Sequence, residues 1–400
     1  MKEITCEEVK TWEPGSYVMI DIRDEGLRAY GMVRGAIAID ADVSPEEIAD
    51  ALSRIPVDRK LVWYCEIGRR TAALEAEEIA PGRECYSLAG GYVAYARSTI
   101  AGEADAAERQ HRAEECIRKK FHKQLFTPFA KACKTYRLIE EGDHIAVCIS
   151  GGKDSMLMAK LFQEIRRHRH CHFELTFLVM DPGYHPDNRA LIESNARALG
   201  IPVTIFESDI FDAVDTVEKN PCYLCARMRR GYLYSKAREL GCNKIALGHH
   251  YDDVIETILM GMLYGGQIQT MMPKLHSTNF EGMELIRPLY LVRESDICAW
   301  RDYNELHFLQ CACHFTDTCT TCHEDGTTSS KRLETKKLIA ALKKDNPYVE
   351  ANIFSSMENI HLDTVIAYKQ GGERHYFLDE YESGKKYVTI ERGRAVTDDI

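Results

Sequence analysis

The hexapeptide SGGKDS occupies residues 150–155, between two stretches of different character. The six residues before it, HIAVCI at 144–149, form an apolar run typical of a buried strand, and the residues after 155 show a helical pattern. A turn between a strand and the start of a helix presents free backbone N–H groups and the positive end of the helix dipole. The sequence therefore predicts an anion-binding turn at this position.

The side chains of the hexapeptide also suit an anion. Gly151 and Gly152 allow the backbone to approach a phosphate closely, because glycine has no Cβ. Lys153 adds a positive charge, and Ser150 and Ser155 add hydroxyl donors. A turn that merely connects two elements is the alternative. The spacing of a Walker A loop is absent.

Strand and helix patterns alternate through the middle of the chain. Strands are predicted at 144–149, 175–180, 203–206 and 244–247. Helices are predicted over 153–168, 188–199, 226–240 and 252–263. This alternation predicts an α/β fold with a parallel sheet and helices on both of its faces.

The glycine-rich turn resembles the PP-loop of the ATP-pyrophosphatase superfamily, whose members cleave ATP between the α- and β-phosphates and adenylate a substrate oxygen. The resemblance implies that the end of the second strand contacts adenine and that the motif GHHYDD at 248–253 closes the nucleotide site. The implied nucleotide-binding residues are Ser150, Gly151, Gly152, Lys153, Asp154, Ser155, Met180, Gly248 and His249. The implied catalytic residues, acting with Mg²⁺, are Lys153, Asp252 and Asp253.

The GHHYDD motif also has simpler interpretations. His249 and His250 are alternatively ordinary strand-end side chains. Asp252 and Asp253 would otherwise cap the next helix and supply an acid to its first turn, a role that is compatible with contacts to Mg²⁺ or substrate.

A C-x-x-C motif, Cys222 and Cys225, stands before the arginine-rich stretch RMRR at 227–230. Alone, such a pair fits a zinc half-site, a redox pair or part of an iron–sulfur ligand set. Cationic neighbours lower the pKa of a thiol and favour metal or persulfide chemistry. The arginines, with the basic stretch at 118–123, are also candidate nucleic-acid contacts, and a solvated helix face is the alternative for each patch.

Four motifs stand together in the order and spacing of the tRNA 2-thiocytidine synthetase family, and the resemblance covers residues 116–360. They are C-x-x-C-x-R-x-R-R-G from 222, G-H-H-x-D-D from 248, Y-G-G from 264 and I-R-P-L from 286. The resemblance implies ATP-dependent replacement of the C2 oxygen of a tRNA cytidine, at position 32 by family, with sulfur. It also implies a [4Fe–4S] cluster held by three cysteines, with its fourth iron open to carry sulfide.

The resemblance assigns Cys222 and Cys225 as two cluster ligands and, by position, Cys311 as the third. The sequence departs from the family here, because Cys313 follows Cys311 closely and is an alternative third ligand. A separate zinc site of four cysteines is a further alternative, formed by Cys311, Cys313, Cys319 and Cys322.

In the first hundred residues, Cys65 follows the apolar strand LVWY at 61–64 and precedes a loop and a helix predicted over 71–79. Backbone N–H groups of such a loop converge on the sulfur, and Arg70 adds positive charge. Both features stabilise a thiolate and then a persulfide. We expect the neighbouring Glu66 to face solvent, because its charge would oppose a thiolate.

This pattern, C-x-x-x-x-R-T, resembles the active-site loop of single-domain rhodaneses. The resemblance implies a sulfur carrier, and our hypothesis for this fusion is that the Cys65 persulfide supplies sulfur to the cluster in cis. A catalytically silent rhodanese fold that acts as a binding module is the alternative. The predicted boundaries are a rhodanese-like domain at 1–102, a linker at 103–115, a PP-loop domain at 116–360 and a small β-rich C-terminal extension at 361–400.

The composition limits the other classes of function. No apolar stretch of the 400 residues is long enough to span a membrane, and the acidic start does not resemble a signal peptide, so we expect a cytoplasmic protein. The 15 cysteines are not expected to form disulfides in that compartment, and Cys148 and Cys242 are expected to be core residues. The net charge of −11 gives no support for nucleic-acid binding by overall charge.

The expected partners are tRNA and an upstream sulfur donor such as a cysteine desulfurase, and a homodimer is considered. Three alternative functions remain at this point. The chain would be a PP-loop thiolase that makes 2-thiouridine, a protein that senses iron–sulfur status or ATP, or a zinc protein with redox cysteines.

Overall fold

The structure is a computed structural model, and it describes most of the chain. The backbone is described for residues 1–28, 31–40, 45–100, 103–168, 170–208, 210, 221–308, 331–379, 381, 388–391 and 394–397. Side chains are not described at 45, 77–78, 100, 103–105, 221–226, 388–391 and 394–397. The chain divides into two compact units, Met1–Val254 with Met271–Ser330, and Ile255–Thr270 with Lys331–Ile400.

The first hundred residues build a five-stranded sheet in which every described pairing is parallel. Its strands are β1 (Lys2–Ile4), β2 (Tyr17–Asp21), β3 (Ile37–Ala38), β4 (Lys60–Tyr64) and β5 (Cys85–Leu88). Their order in the sheet is β1-β5-β4-β2-β3. The central strand β4 is buried from Leu61 to Tyr64, as a parallel strand covered on both faces must be. It delivers Cys65 to the carboxyl edge of the sheet.

Short helices connect and cover these strands. They are Cys6–Lys10, Glu25–Arg28, Pro45–Ser53, Arg69–Ala72, Ala76–Ile79 and Gly91–Ile100. The single helix expected over 71–79 was wrong, because Glu75 is extended and separates two short helices. Leu74 and Ala76 both pack against the core of this sheet. Residues two positions apart point to opposite sides of a continuous helix, so the break allows both to be buried.

A second, six-stranded sheet forms the centre of the PP-loop half. Its strands are β6 (His144–Ile149), β7 (Glu174–Asp181), β8 (Val203–Glu207), β9 (Lys244–Ala246), β10 (Lys274–His276) and β11 (Glu284–Ile286). Their order is β10-β11-β9-β6-β7-β8, and only β10, at the edge, is antiparallel to its neighbour. The four predicted strands and the parallel sheet are confirmed. The pair β10 and β11 adds an edge that the alternating pattern did not predict.

Helices alternate with these strands along the chain at the expected places. They are Glu103–Arg118, Thr127–Thr135, Lys153–Arg167, Pro186–Ala198, Pro221–Glu239, Tyr251–Gly265 and Glu294–Tyr303, with a short π-helix at His122–Phe126. Cys148 and Cys242 are buried and pack in one core cluster with β9 and β11, as expected. The order β9-β6-β7 places the chain's change of direction between β6 and β9, where α/β folds bind ligands beyond the carboxyl ends of the strands.

The second unit contains the helices Lys331–Asp345 and Val349–Ser356. Two hairpins follow, β12 (Ala367–Gln370) with β13 (Glu373–Tyr376) and β14 (Val388–Glu391) with β15 (Arg394–Thr397). The β-rich C-terminal extension is therefore confirmed. In the described part of the chain, no helix has both the length and the apolar character needed to cross a membrane.

Candidate functional site

The SGGKDS turn lies between the end of β6 and the start of helix Lys153–Arg167. Gly151 has a φ of +86°, and a Cβ there would lie 2.6 Å from Ile192 Cγ1. Only glycine combines that backbone conformation with so close an approach. Gly152 is the N-cap residue, and among the described side chains none caps this helix. Its first N–H groups are therefore available to an anion.

The two serines brace the turn from within. Ser155 Oγ accepts a hydrogen bond from Ser150 N at 3.2 Å and donates one to Gly152 O at 3.0 Å. A second glycine turn packs against this one, since a Cβ on Gly248 would lie 3.2 Å from Ser155 N. The two predicted nucleotide-binding motifs, which begin 98 positions apart at residues 150 and 248, thus meet at the neighbouring ends of β9 and β6.

Lys153 is buried, with its side chain only 1% exposed, and its ammonium group lies close to two carboxylates. Nζ lies 3.1 Å from Asp154 Oδ1 and 3.1 Å from Glu294 Oε1. The sequence analysis did not identify Glu294. An acidic residue in the first turn of a helix resembles a capping residue, so nothing in the local pattern indicates a partnership with a distant lysine.

The two aspartates of GHHYDD each accept a hydrogen bond from a backbone N–H group at the start of a helix. Asp252 Oδ2 accepts from Glu294 N at 2.7 Å, and Asp253 Oδ2 accepts from His250 N at 3.0 Å. The simpler interpretation of both residues as capping acids thus has structural support. Asp252 thus bonds the backbone of Glu294, whose carboxylate lies 3.1 Å from the ammonium of Lys153.

The donor set fits Mg²⁺ carried by a nucleotide. Asp154 Oδ1 is buried and accepts no hydrogen bond from the described residues, although Lys153 Nζ is nearby and His250 Nε2 lies 3.9 Å away. No three metal-binding side chains among the described residues form a cage. Mg²⁺ typically takes one or two carboxylates and completes its shell with water and phosphate oxygens, so a full protein cage is not required.

Met180 and His249 lie on either side of the turn. Met180 is buried near the end of β7 and packs with Ile210. Its neighbour Asp181 accepts bonds from Gly183 N and Tyr184 N at 2.9 and 2.7 Å, so Asp181 shapes the loop after β7. His249 is half-buried after β9. The carboxyl ends of adjacent strands therefore bring Met180, Ser150 and Gly248 to one edge of the sheet.

A buried arginine from the I-R-P-L motif adds positive charge near this edge. Arg287 donates from Nη1 to Met272 O, while its Nε has no hydrogen-bond partner among the described residues. Burial, with a contribution from the charge of Arg230, lowers the pKa of Arg287 to about 10. The basic stretch at 118–123 differs, because Arg118 is paired with Glu114 and Glu164. Those ion pairs favour the solvated-face interpretation for Arg118.

The C-x-x-C pair lies inside a helix rather than before it. Helix Pro221–Glu239 begins five residues earlier than the predicted 226, and its first residue is proline, which is favoured in the first turn. Cys222 and Cys225 are three positions apart on it, the spacing of neighbours on one helix face. The side chains of both cysteines lie outside the described part of the structure, as do Cys311, Cys313, Cys319 and Cys322 entirely.

In the N-terminal sheet, Cys65 is buried at the end of β4. Its Sγ lies 3.8 Å from Thr71 Oγ1, which accepts a bond from Ser87 Oγ at 2.8 Å. Gly68 turns the loop with a φ of +85°, and a Cβ there would meet Leu88 O at 2.9 Å. Arg70 is exposed in the helix that follows.

The expectation that Glu66 faces solvent was wrong. Its side chain is 18% exposed, and Oε2 lies 3.1 Å from Arg23 Nη1. Burial raises the pKa of Glu66, and the charge of Arg23 offsets this only in part. Arg23 is itself buried and is held by Asp21 at 2.7 Å, so the guanidinium draws the Glu66 carboxylate inward to compensate its charge.

Comparisons with known proteins agree with this architecture. A family model described as a PP-loop domain matches residues 118–314, and one described as a rhodanese-like domain matches residues 7–98. Fold and site thus define a PP-loop protein with a rhodanese-like domain in front of it, as the sequence predicted.

Comparison with individual relatives identifies the family to which the chain belongs. A tRNA-cytidine(32) 2-sulfurtransferase from Syntrophotalea carbinolica is 35% identical over 233 residues, which cover 58% of this chain and 86% of the relative. One from Geobacter sulfurreducens is 33% identical over 242 residues, which cover 60% of this chain and 90% of the relative. The chain belongs to the tRNA-cytidine(32) 2-sulfurtransferase family, and it is an enzyme.

A solved structure is also similar to this chain. The U34-tRNA thiolase from Methanococcus maripaludis, determined with its [4Fe-4S] cluster, is 23% identical and has a TM-score of 0.46. The match covers 62% of this chain and 81% of the thiolase.

Proposed function

We propose that this enzyme is an ATP-dependent tRNA sulfurtransferase that converts a cytidine, at position 32, into 2-thiocytidine. The observation that carries the proposal is the glycine-lined turn at 150–155, which places open helix N–H groups beside the buried Lys153. The family relationship supports tRNA as the substrate. A polyphosphate is the anion that suits such a turn, and ATP supplies it.

The first chemical step is adenylation of the base. The C2 oxygen of cytidine forms a bond to the α-phosphorus of ATP, the bond to the β-phosphate bridge breaks, and pyrophosphate leaves. The helix start and Lys153 bind the phosphates and stabilise the charge that develops on the leaving pyrophosphate. Asp154 and Asp252, with the phosphates, would hold Mg²⁺.

The second step replaces oxygen by sulfur. Sulfide attacks C2, the C2–O bond breaks, and AMP leaves with the former cytidine oxygen. Adenylation is needed because an unmodified oxygen is a poor leaving group at this carbon. A [4Fe–4S] cluster on Cys222, Cys225 and Cys311, with Cys313 as the alternative third ligand, would supply an open iron that binds sulfide.

The rhodanese-like domain is proposed to supply the sulfur. An upstream donor such as a cysteine desulfurase forms a persulfide on Cys65, and the loop N–H groups and Arg70 stabilise it. Two electrons and two protons from a dithiol reductant release the outer sulfur as hydrogen sulfide, restore the Cys65 thiol and leave a disulfide in the reductant. The structure of the loop supports this role, because Gly68 and Thr71 shape a tight turn directly after Cys65.

Nucleoside mass spectrometry on tRNA from cells with and without this gene tests the proposed reaction. Loss of 2-thiocytidine in the deletion strain is the expected result. Loss of a thiouridine instead would keep the chemistry and overturn the choice of base. No change in any thionucleoside would overturn the function and favour a sensing protein. Purified protein that is colourless and contains zinc without iron would contradict the cluster.

The Cys65→Ser variant tests the sulfur relay. Turnover with a persulfide donor should fall, while turnover with free sulfide should remain, since sulfide bypasses the carrier. Equal loss with both sulfur sources would contradict the relay. The predicted domain boundaries, the cytoplasmic location and a homodimer remain proposals that limited proteolysis, fractionation and sedimentation would test.

A further inference from the structure

One helix of the rhodanese-like domain, Gly91–Ile100, begins on the Cys65 loop. Tyr92 N donates to Cys65 O at 2.9 Å, and Val93 N donates to Glu66 O at 3.1 Å. Gly91 is in contact with the same loop, since a Cβ there would lie 2.4 Å from Cys65 O. The start of this helix therefore sets the position of the loop that carries the proposed persulfide.

The same helix is where the rhodanese-like domain docks on the PP-loop domain. It packs against helix Pro186–Ala198, and Arg97 forms an exposed ion pair with Asp187 across the contact. At the buried end of the contact, Tyr92 Oη and His307 Nδ1 lie 2.9 Å apart. Asn195 Nδ2 donates to His307 O at 2.8 Å and fixes the backbone on the PP-loop side. Tyr92 thus touches the Cys65 loop with its backbone and the other domain with its hydroxyl.

Three observations show that this hydrogen bond is built into the fold. Tyr92 is fully buried and His307 is 9% exposed. The guanidinium of Arg23, which also donates a hydrogen bond to Glu66, lies 3.7 Å from the centroid of the Tyr92 ring. It therefore packs on one face of that ring in a cation–π contact. Gly31 leaves room for the hydroxyl, since a Cβ there would lie 2.3 Å from Tyr92 Oη.

His307, the partner of Tyr92, lies close in the sequence to a proposed cluster ligand. His307 stands four positions before Cys311, counting from 307 to 311. A residue that contacts His307 is therefore tied to the start of the segment that carries the proposed third ligand. The contact joins the backbone next to the sulfur carrier with the backbone that leads to the sulfur acceptor.

We propose that Tyr92 and His307 are positioning residues for sulfur delivery, which hold the Cys65 loop in a fixed docked position so that its sulfur reaches the PP-loop site of the same chain. The inference rests on the proposed function. It differs from that function in assigning the delivery step to a specific interdomain contact rather than to chance encounter of two tethered domains.

The test uses the full chain with Tyr92→Phe, which removes only the hydroxyl, and with His307→Leu, which removes the partner from the other domain. With a persulfide donor, turnover should fall ~5-fold in each, the effect of losing one buried hydrogen bond. With free sulfide, turnover should be unchanged, and so should loading of persulfide on Cys65. The double variant should be no worse than the single ones, because both remove the same contact. Arg97→Ala is the control, since its exposed ion pair should change turnover less than twofold.

Equal losses with persulfide and sulfide would show a merely structural role and overturn the proposal. Unchanged turnover with both sources would overturn it as well. Failure of the proposed relay itself gives a different result, because Cys65→Ser would then keep full turnover with the persulfide donor. A mixture of full chains carrying Cys65→Ser and Lys153→Met provides a second measurement. Fixed docking predicts that the mixture turns over much more slowly with persulfide than the unmodified chain at the same concentration, because sulfide released into solution is diluted, whereas equal turnover would show delivery between chains and contradict the proposal.

Discussion

Lys153 Nζ lies 3.1 Å from Oε1 of Glu294, a residue 141 positions further along the chain. This contact joins the glycine-rich turn to the helix that follows the I-R-P-L motif. Together with Asp154, Glu294 places two carboxylates beside the ammonium of Lys153, whose side chain is only 1% exposed. We therefore expect Glu294 to act through Lys153, by holding the ammonium where phosphate oxygens would reach it.

A double-mutant cycle on this pair tests that role. Lys153→Met should lower tRNA-dependent release of pyrophosphate by ~10²–10³-fold, because a charge aimed at the leaving group is lost. Glu294→Gln should lower it less, by about 10-fold, since glutamine still accepts a hydrogen bond but no longer attracts the charge. On the Lys153→Met background, Glu294→Gln should have no further effect. An additional loss there would mean that Glu294 acts independently of Lys153.

A comparison of two glycines with similar backbone angles distinguishes backbone strain from the effect of a close neighbour. Gly151 and Gly142 have φ values of +86° and +81°, but only Gly151 has a neighbour, Ile192, within reach of a Cβ. Alanine at either position should lower the free energy of unfolding by ~1–2 kcal/mol, measured in urea. Only Gly151→Ala should also weaken ATP binding in calorimetry. Equal ATP affinity in the two variants would contradict the close-approach argument.

Iron content tests the proposed cluster ligands. Serine variants of Cys222, Cys225 and Cys311, purified without oxygen, should each lose iron and visible absorbance, because three ligands are needed to hold the cluster. Cys171→Ser is the control, since this half-buried cysteine lies outside the proposed ligand set. Iron retained in Cys311→Ser but lost in Cys313→Ser would move the third ligand to Cys313.

Stability should depend on the protonation of His307. Burial, with smaller contributions from Arg301 and Arg23, lowers the pKa of His307 from 6.5 to about 4. Between these two values the unfolded chain binds a proton that the folded chain does not, so the free energy of unfolding should fall as pH drops from about 6.5 towards 4.

Urea unfolding across that pH window checks the assignment. His307→Gln should make the pH dependence shallower than in the unmodified chain, because glutamine does not titrate. The exposed His276→Gln is the matched control for removing a histidine at the surface. Identical slopes in the unmodified chain and His307→Gln would show that His307 does not remain neutral in the folded protein.

Local patterns predicted much of the fold because they act over a few residues. The strands at 144–149 and 203–206, and the helices between them, follow from apolar runs and periodicity alone. The glycine-rich turn was also predictable, since its backbone conformation needs glycine whatever lies nearby. The break at Glu75 was not, because it depends on which side of the helix the core occupies.

The sequence by itself determined the two α/β domains, their order, the PP-loop turn and the position of Cys65 after a buried strand. Tertiary structure alone decided the partners of the buried charges: Glu294 for Lys153, Arg23 for Glu66 and His307 for Tyr92. A charge or hydroxyl in the interior must find a partner, but which one it meets depends on how distant segments pack. No spacing in the chain encodes that choice.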